Sequence, residues 1–325
     1  MNGLGKDSVT WLEVGEEADG QRLDNFLLRL AKGVPKSHVY RIVRGGEVRV
    51  NKARARPEQR LRAGDVLRLP PLRIAGRCGN TPARDFPVVH EDAALLVLDK
   101  PAGVAVHGGS GVTFGLIEQL RRARPQDRLL ELAHRLDRET SGLLVVARTR
   151  PALARLHELF RDGQVGKRYY ALVKGRWRDA LRHVRLPLRH YRTAEGEKRV
   201  AVSDAGQAAH SVVRRLDRWL TDEGWFSLVE VELKTGRTHQ IRVHLAHLGH
   251  PLCGDDKYGD FALNRRLTAW GLKRMFLHAA HLSLPHPSTG AMMHWRSALP
   301  AELIAFRQQL DDLAARKEAT DGVPL

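Results

Sequence analysis

His134-Arg135-Leu136-Asp137-Arg138-Glu139-Thr140-Ser141-Gly142 is the stretch on which the reading of this chain turns. It is polar and rich in turn formers, and it runs directly into the apolar segment Leu143–Ala147. A turn-rich loop feeding an apolar strand puts its carboxylate, Asp137, at the mouth of a sheet. Arg135 and Arg138 flank it. A lone loop aspartate ordinarily serves as a turn former or helix cap. A second segment changes that weighting. Thr235-Gly236-Arg237-Thr238-His239-Gln240-Ile241-Arg242-Val243-His244 begins in a turn after the strand-like Val229–Leu233 and enters a helix. Arg242 is therefore a candidate partner for Asp137 through a charge-assisted hydrogen bond, which would fix the carboxylate in place.

Working outward, Leu95–Leu98, Leu143–Ala147, Tyr169–Val173 and Ser227–Leu233 read as strands. Leu153, Leu156 and Phe160 make one helical face, and Ile241, Leu245 and Leu248 make another. The order is not a regular βαβ alternation, so an α+β fold is expected instead of a doubly wound sheet. This larger domain is placed at residues 88–311. Residues 71–87, with Pro and Gly and no hydrophobic period, read as a linker. Residues 312–325 are polar enough to be expected as a frayed tail.

Residues 20–70 form a candidate module of their own. Leu23, Phe26, Leu27 and Leu30 recur at helical spacing, so a helix is predicted over Arg22–Ala31. Pro35-Lys36-Ser37 opens a second helix, with Ser37 as the expected N-cap, and Gly45-Gly46 ends it. Val48 and Val50 alternate with polar residues as in a half-buried strand, and Val66–Leu69 follows as another. Residues 21–80 hold 15 Lys/Arg against 4 Asp/Glu, a net of +11, within a chain of formal charge +17. Such an excess attracts a polyanion. Arg22, Lys36, Ser37, Arg41, Arg44, Arg49, Asn51 and Lys52 are the candidate contacts to a nucleic-acid backbone.

Several function classes are disfavoured. The longest wholly apolar run is six residues, Ala93–Leu98, against the ~20 needed to cross a bilayer. The first twenty residues lack a basic segment followed by an apolar one, so no secretory signal is expected. Two cysteines, Cys78 and Cys253, make neither a disulfide scaffold nor a Cys-rich zinc site, and fit a reducing cytoplasm. No Walker-type loop or dinucleotide fingerprint is present, and Gly108-Gly109-Ser110-Gly111 reads as a flexible loop. The run His239, His244, His247, His250 has no H-E-x-x-H pattern and no acidic residue within it, so no metal site is expected.

The stretch His134–Gly142 matches the H-R-L-D-x-x-T-S-G signature of the RluA-type pseudouridine synthases, and the chain resembles that family from about residue 15 to 310. Asp99-Lys100-Pro101-Ala102-Gly103, Lys167–Val173, Thr235–His244 and Gly249-His250-Pro251 with Gly254-Asp255 agree in chain order. Gly33–Ser37, Gly46–Lys52, Ala105–Gly111 and Asp255–Asp260 are most similar to members that modify 23S, large-subunit, ribosomal RNA. Residues 20–70 resemble the small RNA-binding domain first seen in a small-subunit ribosomal protein.

The resemblance implies a catalytic domain on a mixed, largely antiparallel sheet with flanking helices. It implies that Asp137 is the catalytic aspartate, Tyr169 the tyrosine near the target uracil, and Arg242 the partner of the aspartate. Arg135 would enter the RNA where the target base has left. Tyr170 also carries a hydroxyl, and strand alternation lets only one of the two tyrosines face Asp137. The implied reaction breaks N1–C1′ and joins C5 to C1′, with Asp137 as nucleophile at the sugar or base at C2′. Nothing is oxidised or hydrolysed, so no cofactor is expected. RNA, naked or in an assembling subunit, is the implied partner, and a monomer is expected. The basic module alone would equally serve an RNA-binding assembly factor with incidental catalysis.

Overall fold

The computed structural model describes residues 8–31, 34, 36–72, 81–108 and 114–321. The Gly109–Gly111 part of the expected glycine loop, Cys78 and residues 73–80 of the expected linker lie outside these residues, as do the side chains of Lys36 and Ser37.

The N-terminal module comprises β1 (Thr10–Glu13), α1 (Leu23–Leu30), α2 (Lys36–Arg44), β2 (Arg49–Val50), β3 (Ala53–Arg54) and β4 (Val66–Leu69). The sheet order is β1-β4-β2-β3, and each pairing is antiparallel. Its core is formed by the residues the periodicity picked out, Leu23, Phe26, Leu27, Val48 and Val50, joined by Val39, Ile42, Leu67 and Leu69. Two expectations are corrected. The module begins upstream of residue 20, because β1 pairs along all of β4 and directs Leu12 and Val14 into the core. Helix α2 starts at Lys36, so Ser37 lies within its first turn and is not the N-cap.

The second sheet has ten strands. Its first half holds β5 (Val88–Glu91), β6 (Leu95–Lys100), β7 (Glu131–Leu132) and β8 (Ser141–Ala147), with α3 (Leu116–Ala123) and α4 (Arg150–Arg161). Its second half holds β9 (Gly166–Lys174), β10 (Leu181–Arg185), β13 (His210–Thr221), β14 (Gly224–Leu233), β15 (Leu277–Pro285) and β16 (Met292–Arg296). A two-stranded hairpin, β11 (Leu188–Arg192) and β12 (Lys198–Val202), stands apart from the sheet. Helices α5 (Gln240–His247), α6 (Phe261–Ala269) and α7 (Ala301–Asp321) complete the fold. The order β10-β13-β14-β9-β15-β8-β6-β5 is antiparallel except at β15–β8, which is parallel and welds the halves together. The fold is thus α+β, as expected.

That weld explains the glycine of the loop segment. Gly142 has φ +107, and a Cβ there would stand 2.3 Å from the carbonyl oxygen of Ala279 on β15. Only glycine permits both the dihedral and the approach. Ser141 beside it shares a 2.9 Å hydrogen bond with His278 Nδ1 and accepts one of 2.8 Å from Arg274. The loop ahead of β8 is therefore anchored to β15 at its exit.

The expected C-terminal tail is a further correction. Helix α7 continues to Asp321. Leu303, Phe306, Leu310 and Ala314 bury one face against Trp219 and Phe226. Past Asp311, whose carboxylate accepts from the Trp219 indole, Lys317 reaches Asp222. Ala, Arg, Lys and Glu, which are good helix formers, carry the last turns without an apolar stripe.

Candidate active site

Asp137 sits where the loop before β8 faces the N-terminal end of α5. Arg242 on α5 donates from Nη1 to Asp137 Oδ2 at 3.1 Å. The pairing expected from sequence is present. Arg242 is itself held more firmly elsewhere: Nε and Nη2 donate to the two oxygens of Asp255 at 2.8 and 2.7 Å, and Nη2 also reaches Asp256 at 3.2 Å. Its guanidinium carbon lies 5.2 Å from the Tyr258 ring centroid. Arg242 is 5% exposed and Asp255 fully buried. Burial penalises the Arg242 cation, but the hydrogen bonds and charge of Asp255, with Asp137 behind them, more than offset it and raise its pKa. Burial likewise opposes the Asp255 carboxylate, and Arg242 together with the Lys257 and Tyr258 amides pulls its pKa below the ordinary value.

Asp255 is supplied by a tight turn. Gly254, at φ +77, brings the chain within 2.2 Å of the Arg274 carbonyl oxygen, measured from the position a Cβ would take. The segment Gly254-Asp255 was visible in the sequence, but nothing in composition or spacing revealed that it supports Arg242.

Three further residues shape the loop. Lys100, at the end of β6, is fully buried and donates to the carbonyls of Pro101, Val104 and Arg138 at 2.9, 2.8 and 3.0 Å. Burial pushes its pKa down to about 7, with Arg274 adding to the fall and Glu139 and Asp137 opposing it. The three carbonyls favour the ammonium form, so the side chain acts as a pin for the Asp137 loop. His134 accepts a 3.0 Å bond from the Val145 amide, and burial, reinforced by Lys167, pushes its pKa down to about 3. His239 caps α5 at φ +53, shares a 2.8 Å hydrogen bond with the Tyr258 hydroxyl, and lies 3.9 Å from Asp137 Oδ2.

Strand β9 settles the tyrosine register. Tyr169 is buried and lines the same cavity as Asp137, whereas Tyr170 points to the opposite face, where its hydroxyl meets His281 at 3.1 Å. Burial, and secondarily the charge of Asp137, raises the Tyr169 pKa well above the ordinary phenol range. The cavity is about 510 Å³ and is lined by Arg135, Asp137, Lys167, Tyr169, His239 and Arg242 among others. That is the size of a small-ligand site. A second hollow of about 1090 Å³ meets it at Arg135, Asp137 and Arg242 and runs beneath the β11–β12 hairpin, past Tyr191, Arg192 and Lys198. Arg135 is solvent-exposed at the junction.

The remaining candidates divide. Arg41, Arg44, Arg49 and Lys52 are exposed on the N-terminal module. Arg22 is engaged instead with Asp24, at 3.1 and 2.7 Å, in a cluster that also holds Tyr40. The Asn51 carboxamide is occupied within its turn, donating to Asp65 and accepting from the Val66 amide, both at 2.8 Å. These contacts give Arg22 and Asn51 structural work within the module, while the Arg22 side chain stays 42% exposed and Asn51 lies at the surface. The histidines of the run His239–His250 diverge: His244 bonds to Ser211 and Leu186, and His250 to Lys174. Among the described residues no cluster of three His, Cys, Asp or Glu could hold a metal ion.

Asp137, Tyr169 and Arg242 all fall within the stretch that a known family matches. Residues 94–247 match the RNA pseudouridylate synthase family, and residues 21–67 match the S4 domain. Ribosomal large subunit pseudouridine synthase C of Haemophilus influenzae is 44% identical over 311 residues, covering 93% of this chain and 95% of the relative. Its namesake from Escherichia coli K12 is 45% identical, over 93% of this chain and 97% of the relative. The chain belongs to the RNA pseudouridylate synthase family. The enzyme is an isomerase of RNA uridines with an N-terminal S4 domain. Among solved structures, human RNA pseudouridylate synthase domain containing 1 superposes with a TM-score of 0.56 at 26% identity, over 67% of this chain and 85% of that one. Human RNA pseudouridylate synthase domain containing 4 gives 0.54 at 27%, over 69% and 93%. No helix among the described residues is long and apolar enough to cross a membrane.

Proposed function

We propose that the enzyme isomerises specific uridines of 23S ribosomal RNA, with Asp137 as the residue that reacts with the flipped nucleotide. The observation that carries the role of Asp137 is its position: Oδ2 is held 3.1 Å from Arg242 in a cavity shared with the Tyr169 ring. The ribosomal substrate is supported by similarity along 93% of the chain to large-subunit synthases.

The chemistry follows from the groups present. A base inside a helix is out of reach, so the uridine must be extruded, at a cost of about a few kcal/mol. Arg135, exposed at the junction of the two hollows, fills the gap by stacking. Asp137 then cleaves the N1–C1′ bond, as nucleophile at C1′ or as base at C2′. The freed uracil turns against Tyr169, C5 bonds to C1′, the C5 proton leaves and N1 gains one. Atoms and electrons balance within the nucleotide, so the reaction calls for no redox cofactor and no metal. Part of the upward push on the Tyr169 pKa comes from the Asp137 charge. Once Asp137 is esterified or protonated that push is gone, and the phenolate, the form of Tyr169 able to take the C5 proton, becomes easier to reach.

Asp137, Tyr169, Arg242 and Asp255 complete the site within one chain, so a monomer suffices for the reaction; a ribosomal substrate goes with a cytoplasmic location. An assembly factor that only bound RNA would have no use for this constellation. The test is to map pseudouridines in 23S RNA from cells with and without the gene, and to assay Asp137→Asn protein on the same RNA. Loss of particular pseudouridines, with Asp137→Asn inactive yet binding RNA within a few-fold, is expected. Unchanged maps remove the substrate assignment, and turnover by the variant removes Asp137 from the reaction.

A further inference from the structure

The outer face of the N-terminal sheet carries a row that the sequence reading did not assemble. Trp11 on β1 is paired with Arg68 on β4, Arg68 with Arg49 on β2, and Arg49 with Arg54 on β3. Paired residues share a face of a sheet. One tryptophan and three arginines therefore stand side by side across four strands, spanning about 14 Å at the usual strand spacing. The opposite face is the module's core, made by Leu12, Val50, Leu67 and Leu69.

The row is open to solvent at both ends. Trp11 is 56% exposed, with Val9 at 37% and Val66 at 39% beside it. Arg49 and Arg54 are exposed, and Arg68 is half-buried. Backbone carbonyls steady the arginines: Arg68 donates to Glu47 O at 2.9 Å, Arg49 to Lys52 O at 3.2 Å and Arg54 to Arg44 O at 2.6 Å. The last bond joins the row to the final turn of α2. Glu13, opposite Val66, is the acidic group on this face of β1.

We propose that this sheet face is a second RNA-binding platform of the module, on which an unpaired base stacks on Trp11 while Arg68, Arg49 and Arg54 follow the backbone. An exposed indole at the end of an arginine row is what a flexible single strand recognises. Each base offers a π-face to the ring, and the phosphates meet the cations. The carbonyl contacts hold the guanidinium groups in place without neutralising them. Tryptophan and arginine also occur at protein interfaces, but three aligned cations on a module whose residues 21–80 carry a net +11 favour a polyanion over a protein surface. The platform holds RNA flanking the target uridine and is separate from the Asp137 cavity.

The proposal rests on RNA being the ligand of the module, so its test carries a control for that reading. Anisotropy of a labelled single-stranded RNA is titrated with full-length wild-type, Trp11→Ala, Trp11→Phe, Arg49→Ala and Arg44→Ala proteins at several salt concentrations, after circular dichroism melts establish that each folds. Trp11→Ala is expected to bind about five- to a hundredfold more weakly, with Trp11→Phe close to wild type, because stacking needs a ring and not the indole nitrogen. Stacking releases no counterions, so Trp11→Ala keeps the salt slope. Arg49→Ala lowers it by about 0.7, the value for one phosphate of a single strand. Wild-type affinity in Trp11→Ala, or equal loss in Trp11→Phe, overturns the platform. If Arg44→Ala still weakens binding in that case, RNA binding by the module stands. If neither does, that reading falls too. A wild-type dimer that Trp11→Ala converts to monomer assigns the face to a second copy and also overturns the proposal.

Discussion

Asp255 grips Arg242 through two short hydrogen bonds, 2.8 and 2.7 Å, and Asp137 receives the third at 3.1 Å. The buried pair is thus a support, and Asp137 is what it supports. Because Asp255 is fully buried, substituting it leaves the Arg242 cation poorly compensated. Removing one partner of a buried ion pair costs about 3–5 kcal/mol. Asp255→Ala is expected to lower the unfolding free energy by that order, and the milder Asp255→Asn to lower kcat more than tenfold with KM for RNA nearly constant. Denaturant titration and single-turnover kinetics check the two parts. Normal turnover in Asp255→Asn would show that Asp137 is positioned without it.

Tyr169→Phe keeps the ring against the uracil and removes the hydroxyl. General-base assistance is worth about 10²–10⁴ in rate, so conversion is expected to slow by at least the lower figure while RNA affinity is unchanged. Rapid-quench measurement of pseudouridine formation separates the two quantities. A rate within a few-fold of wild type assigns Tyr169 to stacking alone.

His134 ties an acid-sensitive element to the Asp137 loop. Its folded pKa is near 3, and an unfolded histidine titrates near 6.5. Between those values the unfolded chain binds the extra proton, so stability is intact above pH 6.5 and falls as pH drops towards 3. The loss from this one group is on the order of a few kcal/mol. Unfolding free energies of wild type and His134→Gln, compared across that window, should converge on acidification. Parallel curves would show that the Val145 bond is not linked to protonation.

The N-terminal module has its own hydrophobic cluster, and its contacts to the larger domain are polar. Arg150 donates to the Glu17 carbonyl and, at 2.7 Å, to Gln21; Arg29 lies 3.6 Å from Glu131. A chain beginning at Phe86 is expected to unfold cooperatively and to keep chemical competence. It should bind RNA more weakly, with a slope of log K against log salt reduced by ~0.9 per lost duplex phosphate. Equal affinities and parallel slopes for the two lengths would remove the module from RNA binding.

Short-range pattern was enough for much of this protein. Helical spacing of Leu23, Phe26, Leu27 and Leu30 marked α1, and alternation around Val66–Leu69 marked β4 to the residue. The loop-to-strand transition at His134–Ala147 offered Asp137 as a candidate and the turn-to-helix transition at Thr235–His244 offered Arg242, and the family resemblance supplied the roles expected of them. These are local signals, set by side-chain periodicity and turn chemistry within about ten residues.

What only the tertiary structure decided are the contacts between distant segments. That Asp255 supports Arg242, that Lys100 pins the Arg138 carbonyl and that Gly142 meets Ala279 depend on packing across the sheet. The choice of Tyr169 over Tyr170 depends on which face of β9 is covered, and strand alternation by itself leaves both faces equivalent. The end of α7 was misread because its last turns are polar. Their helicity comes from propensity and from the preceding turns anchored against Trp219, which the polarity of residues 312–321 does not reveal. Trp11, Arg68, Arg49 and Arg54 are scattered over more than forty residues and become a row only through strand pairing, because backbone hydrogen bonds between strands set the register that sequence distance conceals.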